Sequence, residues 1–197
     1  MWISPNYRDT DLQFPLTLDQ KISLFEDRTV GWQLGIANRV ANGSATSDGQ
    51  PNENAIHHSG YAVLHILLSY FEMIGKYRAG FTTAGQSSHF FKEGARQVFP
   101  ELAGFPAEVV DGLLDALYSG GRCGLYHGGM TDARIMLTGD LNAAMAYDPQ
   151  GQRLVINPHQ LPPALLRHFH TYIDELRNAA NADLRSSFES RFNAETQ

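Results

Sequence analysis

The chain has 197 residues, enough for one domain with a sizeable core, and its 43% hydrophobic content with eleven Phe and eight Tyr excludes a disordered composition. A formal net charge of −6 excludes a protein that coats nucleic acid non-specifically, which needs many Lys and Arg contacts to phosphate, while leaving room for a small basic cleft. The single cysteine, Cys123, excludes an intrachain disulfide and fits a reducing compartment. The first nine residues lack a basic stretch followed by an apolar one, so no secretory signal and a cytoplasmic location are expected.

Residues 1–16, with Pro5 and Pro15, read as an extended arm. A first helix is predicted from Thr17 as N-cap, with Asp19 and Gln20 in its first turn. Its apolar positions run through Leu18, Ile22, Phe25, Val30, Leu34, Ile36 and Val40, and Gly31 and Gly35 either weaken its middle or mark a close backbone approach. Residues 42–55 are almost wholly polar or turn-forming and predict a loop.

A second helix is predicted over 56–78, with the stripe Val63, Ile66, Leu67, Tyr70, Phe71 and Ile74 and a stop at Gly80. Carrying His65 and Glu72, and with an apolar stretch too short to cross a bilayer, it reads as a core helix and predicts no membrane association. A third helix is expected over 87–98, before Pro100, and a fourth from Pro106 through Leu113, Leu114, Leu117 and Tyr118.

After Thr131 the period changes. Residues 134–138, 143–147 and 153–156 read as short strands, and Asp148-Pro-Gln-Gly151 supplies a turn, so a β-hairpin or meander is predicted near 134–156. A long final helix is expected over 161–192, its apolar positions thinning towards a polar end. The expectation is therefore a mainly α-helical single domain over 1–197, with a helical core at 17–131 and a β insertion at 132–158.

The segment Leu117-Tyr-Ser-Gly-Gly-Arg122-Cys-Gly-Leu-Tyr-His127-Gly-Gly-Met-Thr131 carries the chemistry. On a regular helix Arg122 and His127 stand about 140° apart and roughly 7.5 Å along the axis, close enough for a long Arg side chain to approach the imidazole. His127 is suited to proton transfer near neutral pH, and Arg122 to holding a phosphate and the charge that develops on it. A single imidazole does not easily serve as both base and acid, so a second protomer or water is expected to complete the cycle. Tyr126 is a candidate to line the same cleft, or simply half-buried packing. Cys123 reads as a small hydrophobe and, with Tyr126, as a candidate substrate-binding residue, with no metal or cofactor implied.

The helical layout and the Arg-x4-His element Arg122-Cys-Gly-Leu-Tyr-His127 resemble the HEPN superfamily over residues 17–131. That resemblance implies a helical bundle with the motif on a late helix, and two protomers that bring their motifs into a shared cleft. It implies a metal-independent endoribonuclease of toxin–antitoxin, antiphage or RNA-processing type, with Arg122 and His127 as its active pair, RNA as substrate and an antitoxin or regulatory protein as partner. Other members of that superfamily are catalytically silent, which keeps a non-catalytic binding or scaffold protein as the alternative. The family pattern has a polar residue directly after the Arg, where this chain has Cys123.

Gly112, Ala116, Gly120, Gly124 and Gly128 recur every fourth residue and predict either a smooth ridge for a helix or partner protomer, or a helix that ends at Gly120-Gly121. His58 and His65 are expected to share a helix face, without the companion ligands of a metal site. His168 and His170, with Arg167 and Arg177, are expected to face solvent or a partner. Glu72 is placed to pair with Lys76, with Arg122 as a further candidate. Asp111 and Asp115 read as a solvated face.

Overall fold

A computed structural model describes residues 1–43 and 55–196; most of the predicted loop at 42–55 lies outside the described residues. The fold is mainly helical with a small three-stranded sheet. Helix α1 (Leu18–Thr29) begins with a capping box, in which Thr17 Oγ1 accepts from Gln20 N at 3.3 Å and Gln20 Oε1 accepts from Thr17 N at 2.8 Å. It continues through a π-helical segment (Val30–Leu34) into α2 (Gly35–Asn42). Gly31 and Gly35 mark that segment. A Cβ on Gly31 would stand 2.3 Å from Pro5 Cγ, so this glycine admits the N-terminal arm, which Asp27 anchors by accepting from Ser4, Asn6 N and Asn6 Nδ2.

Helix α3 (Gly60–Ala79) is the hub, packing against α2, α4 (Ser87–Val98), α6 (Gly124–Gly128) and α8 (Ala182–Glu195). Val63, Leu67, Tyr70, Phe71 and Ile74 from its predicted stripe are buried, and Gly80 ends it with φ +80°. The α3–α4 contact brings backbone onto backbone: a Cβ on Gly94 would sit 1.8 Å from the Phe71 carbonyl oxygen, and one on Gly75 2.1 Å from that of Phe90. Side chains larger than hydrogen at either position would force the two helices apart. None of the helices among the described residues is long and apolar enough to cross a membrane.

The fourth predicted helix starts after Pro106 as α5 (Ala107–Asp115), passes through a second π-helical segment (Ala116–Cys123) and ends as α6. The wider π turns break the four-residue period of the small-residue ridge. Gly112 and Gly128 face open space. Gly120 and Gly124 instead accommodate the returning chain, since a Cβ on them would meet the Asp132 carboxylate at 2.4 Å and the Met130 carbonyl oxygen at 2.7 Å. At Gly120 and Gly124 the ridge therefore seats the chain's own reversal. Asp111 and Asp115 are not merely solvated: they form ion pairs with Arg96 and Lys92 of α4.

Strands β1 (Ile135–Leu137), β2 (Met145–Asp148) and β3 (Arg153–Ile156) lie near their predicted places. Strands β2 and β3 form the expected hairpin, with Asp148 Oδ1 accepting from Gln150 N and Gly151 N in the turn. A meander is not formed, because β1 pairs parallel to β3 on its other edge and the order is β1-β3-β2. Buried Asn157 holds the connection, its Nδ2 donating to the Gly139 and Leu141 carbonyls.

The long final helix is broken in two, α7 (Leu161–Arg177) and α8. Two asparagines end α7: Asn178 turns extended and its Oδ1 accepts from Ala180 N, while Asn181 Nδ2 donates to the Glu175 carbonyl. The apolar faces of both helices close one hydrophobic cluster with α1, α3 and the inner face of the sheet.

His168 corrects an expectation. It does not project into solvent but is half-buried, with Nδ1 2.7 Å from the Tyr70 hydroxyl and its ring edge-on to that of Tyr70. Burial, helped by the Arg78 charge, lowers its pKa from 6.5 to about 4. The unfolded chain therefore takes up a proton near pH 6.5 that the folded chain refuses until about pH 4. Stability falls as pH drops through that window, by up to roughly 3 kcal/mol, and the loss levels off below it. Urea midpoints between pH 7 and 4 will show this decline in the wild type and a flatter profile in His168→Gln.

Candidate functional site

The site grows from one buried carboxylate. Glu72 sits in the middle of α3 with its side chain 9% exposed, and it must be neutralised there. Lys76, one turn on, donates to Oε1 at 2.5 Å. Arg122, from the π-helical segment opposite, places Nη2 2.7 Å from Oε2. That second contact is ionic and not a well-aimed hydrogen bond, and Oε2 accepts none. Burial alone would raise the Glu72 carboxyl; hydrogen bonds from Lys76 and Ser87, with the charges of Arg122 and Lys76, outweigh it and hold the pKa below the ordinary glutamate value.

Arg122 is held but not consumed. Its side chain is 34% exposed, and its guanidinium carbon lies 5.6 Å from the centre of the Tyr118 ring. Arg122 lines a cavity of about 260 Å³ with Leu125 and Tyr126 from its own chain segment and His65, Leu68 and Ser69 from α3. Ser69 is fixed by Gln33, whose Nε2 donates to the Ser69 hydroxyl at 2.8 Å.

The predicted residues divide. Arg122 and Tyr126 share the cavity, and Tyr126 is 73% exposed at its rim. His127 lies in the last turn of α6, exposed and outside the cavity lining, with its ring perpendicular to that of Tyr126 at 5.0 Å. It makes no hydrogen bond among the described residues. Cys123 is half-buried against the Tyr118 hydroxyl and does not line the cavity; burial foremost, and the neighbouring thiol, push the Tyr118 pKa up.

The sequence offers His65 only as a companion of His58, not as part of this site. It is exposed on α3, and its ring lies parallel to that of Tyr126 with centroids 6.4 Å apart. Its spacing signals this role only once Glu72 and Arg122 are known to pair. His65, Ser69 and Glu72 then form one α3 stripe facing the motif. His58 does not share that face: it precedes α3, with φ +61°, and borders a separate pocket with His159. No group of three or more His, Cys, Asp or Glu side chains among the described residues is arranged to hold a metal ion.

The Gly-rich turn after the motif has its own anchors. Asp132 N donates to the Gly120 carbonyl, and the Asp132 carboxylate accepts from Arg134 N and Nε. Neither Arg122 nor His127 holds it, so both remain free of that structural task.

Replacing Glu72 with Gln removes the charge that fixes Arg122, and the expected loss is about 1–2 kcal/mol at pH 7. Because the folded-state pKa of Glu72 is depressed, its contribution is present above the unfolded value and is lost as pH falls through the folded one. Urea denaturation of the wild type and Glu72→Gln will show a gap at pH 7 that narrows below about pH 4.

Compared with known proteins, the chain matches no family model, no curated protein and no solved structure.

Proposed function

We propose that this chain is a HEPN-like, metal-independent endoribonuclease in which Arg122 binds the scissile phosphate and His127 transfers protons. The observation that carries this reading is the Arg122 guanidinium, fixed by buried Glu72 yet open to a cavity beside two exposed imidazoles. A guanidinium so held loses little freedom on meeting a phosphate, and its donors are already oriented when charge builds up on the phosphoryl oxygens. In this reading the RNA 2′-hydroxyl attacks the adjacent phosphorus, giving a 2′,3′-cyclic phosphate and a 5′-hydroxyl. The protein acts in the cytoplasm as a homodimer whose motifs meet in one cleft, under the control of an antitoxin or another regulatory protein. Its net charge of −6 confines RNA contact to that local cleft.

A non-catalytic binding role is the second reading. It is favoured by the pairing of Arg122 with Glu72 and by exposed Trp32, Tyr126 and Met130, which suit a protein partner.

Purified wild type, Arg122→Ala and His127→Ala proteins incubated with total cellular RNA in EDTA separate the two. The nuclease reading predicts cleavage by the wild type with 2′,3′-cyclic phosphate ends, and a loss of roughly 10²-fold or more in each variant. Equal cleavage by all three contradicts the assigned roles, and no cleavage by any of them supports the binding protein.

A further inference from the structure

We infer that His65 is the second proton-transfer group of this site, so that one chain supplies both imidazoles the cleavage requires. The inference rests on the nuclease reading above and names a residue which that reading lacks.

Cleavage by the 2′-hydroxyl needs two proton transfers. The O2′–P bond forms as one group takes the hydroxyl proton, and the P–O5′ bond breaks as another gives a proton to the departing oxygen. His127 can perform one of these. The second was expected from another protomer or from water, and the geometry offers a nearer source.

The two helical segments run against each other so that Arg122 meets Glu72 while Tyr126, four residues on, meets His65, seven residues before Glu72. The register places His65 in the wall of the cavity onto which Arg122 opens, with Ser69 beside it. Among the described residues, the only charged side chain sharing that cavity wall is Arg122. Neither ring nitrogen of His65 is engaged: it makes no hydrogen bond among the described residues, and its one ring contact is the parallel face of Tyr126. His65 is exposed, so both nitrogens are open to water and to a ligand, whereas half-buried His168 has its Nδ1 against the Tyr70 hydroxyl.

Tyr126 neighbours both imidazoles, near-parallel to His65 with centroids 6.4 Å apart and perpendicular to His127 at 5.0 Å. A phosphate held by Arg122 lies beside His65 inside the cavity, while His127 lies outside it towards solvent. His65 takes the 2′-hydroxyl proton and His127 protonates the leaving 5′-oxygen. After product release, the imidazolium of His65 and the neutral imidazole of His127 return to their starting states by exchange with water.

The test uses a fluorogenic RNA in EDTA with the full-length wild type, His65→Ala and His65→Gln. Both variants are expected to cleave at least about 10²-fold more slowly. Added imidazole restores His65→Ala, where the lost ring leaves space beside Arg122, and does not restore His65→Gln. Mixing His65→Ala with His127→Ala recovers nothing if both groups act from one chain. Wild-type rates in the His65 variants, or slow variants that imidazole cannot restore, overturn the assignment of His65 while leaving the nuclease reading in place. Recovery on mixing overturns its single-chain form. A wild type that cleaves no RNA overturns the nuclease reading itself, and this inference with it.

Discussion

A carboxylate in the middle of a core helix has to find positive charge, and the placement of the site follows from how Glu72 finds it. An isolated buried carboxylate costs several kcal/mol. Lys76 supplies one charge from the same helix, and Arg122 supplies the other from the segment packed across it. The pair ties the motif to α3 and fixes the azimuth of both. With that azimuth set, Tyr126 is brought over His65 and a cavity is left between the two segments. One guanidinium thus answers the charge of Glu72 and also belongs to the residue lining the cavity where we propose phosphate is held.

Two continuous helical runs, 18–42 and 107–128, contain a π-helical segment at glycine, Val30–Leu34 with Gly31 and Ala116–Cys123 with Gly120 and Gly121. Each admits another stretch of chain, Pro5 of the arm in one case and the Met130–Asp132 return in the other. The cost in helix propensity is about 1 kcal/mol per interior glycine and is offset by the packing these approaches permit. The second segment also carries Arg122, and π turns of this kind concentrate at functional sites.

Much of the fold was legible where a local rule decides it. The N-cap at Thr17, the helix at Ser87–Val98, the stop at Gly80 and the turn at Asp148–Gly151 depend on residues within one turn of each other, and all four stand where expected. The pairing of Glu72 with Arg122 was readable too, because a lone carboxylate among apolar residues demands a cation. The departures involve longer range. Strand order is not written in alternation, so the parallel placement of β1 was hidden. Asn178 and Asn181 ended a helix whose apolar period continued past them. The π segments escaped because hydrophobic periodicity presumes 3.6 residues per turn. His65 stayed an ordinary surface histidine until the register of two helices placed Arg122 and Tyr126 beside it.

The most direct measurement is a titration of the protein in EDTA with a short RNA whose 2′-hydroxyls are replaced by hydrogen, which binds and cannot be cleaved, followed through the ring nitrogens of its eight histidines by NMR. If phosphate is received at Arg122, the signals of His65 and His127 shift together, those of His159 and His168 do not, and Arg122→Ala abolishes the response. Unmoved His65 and His127 signals, or shifts that persist unchanged in Arg122→Ala, would contradict a phosphate site built on the Glu72–Arg122 pair.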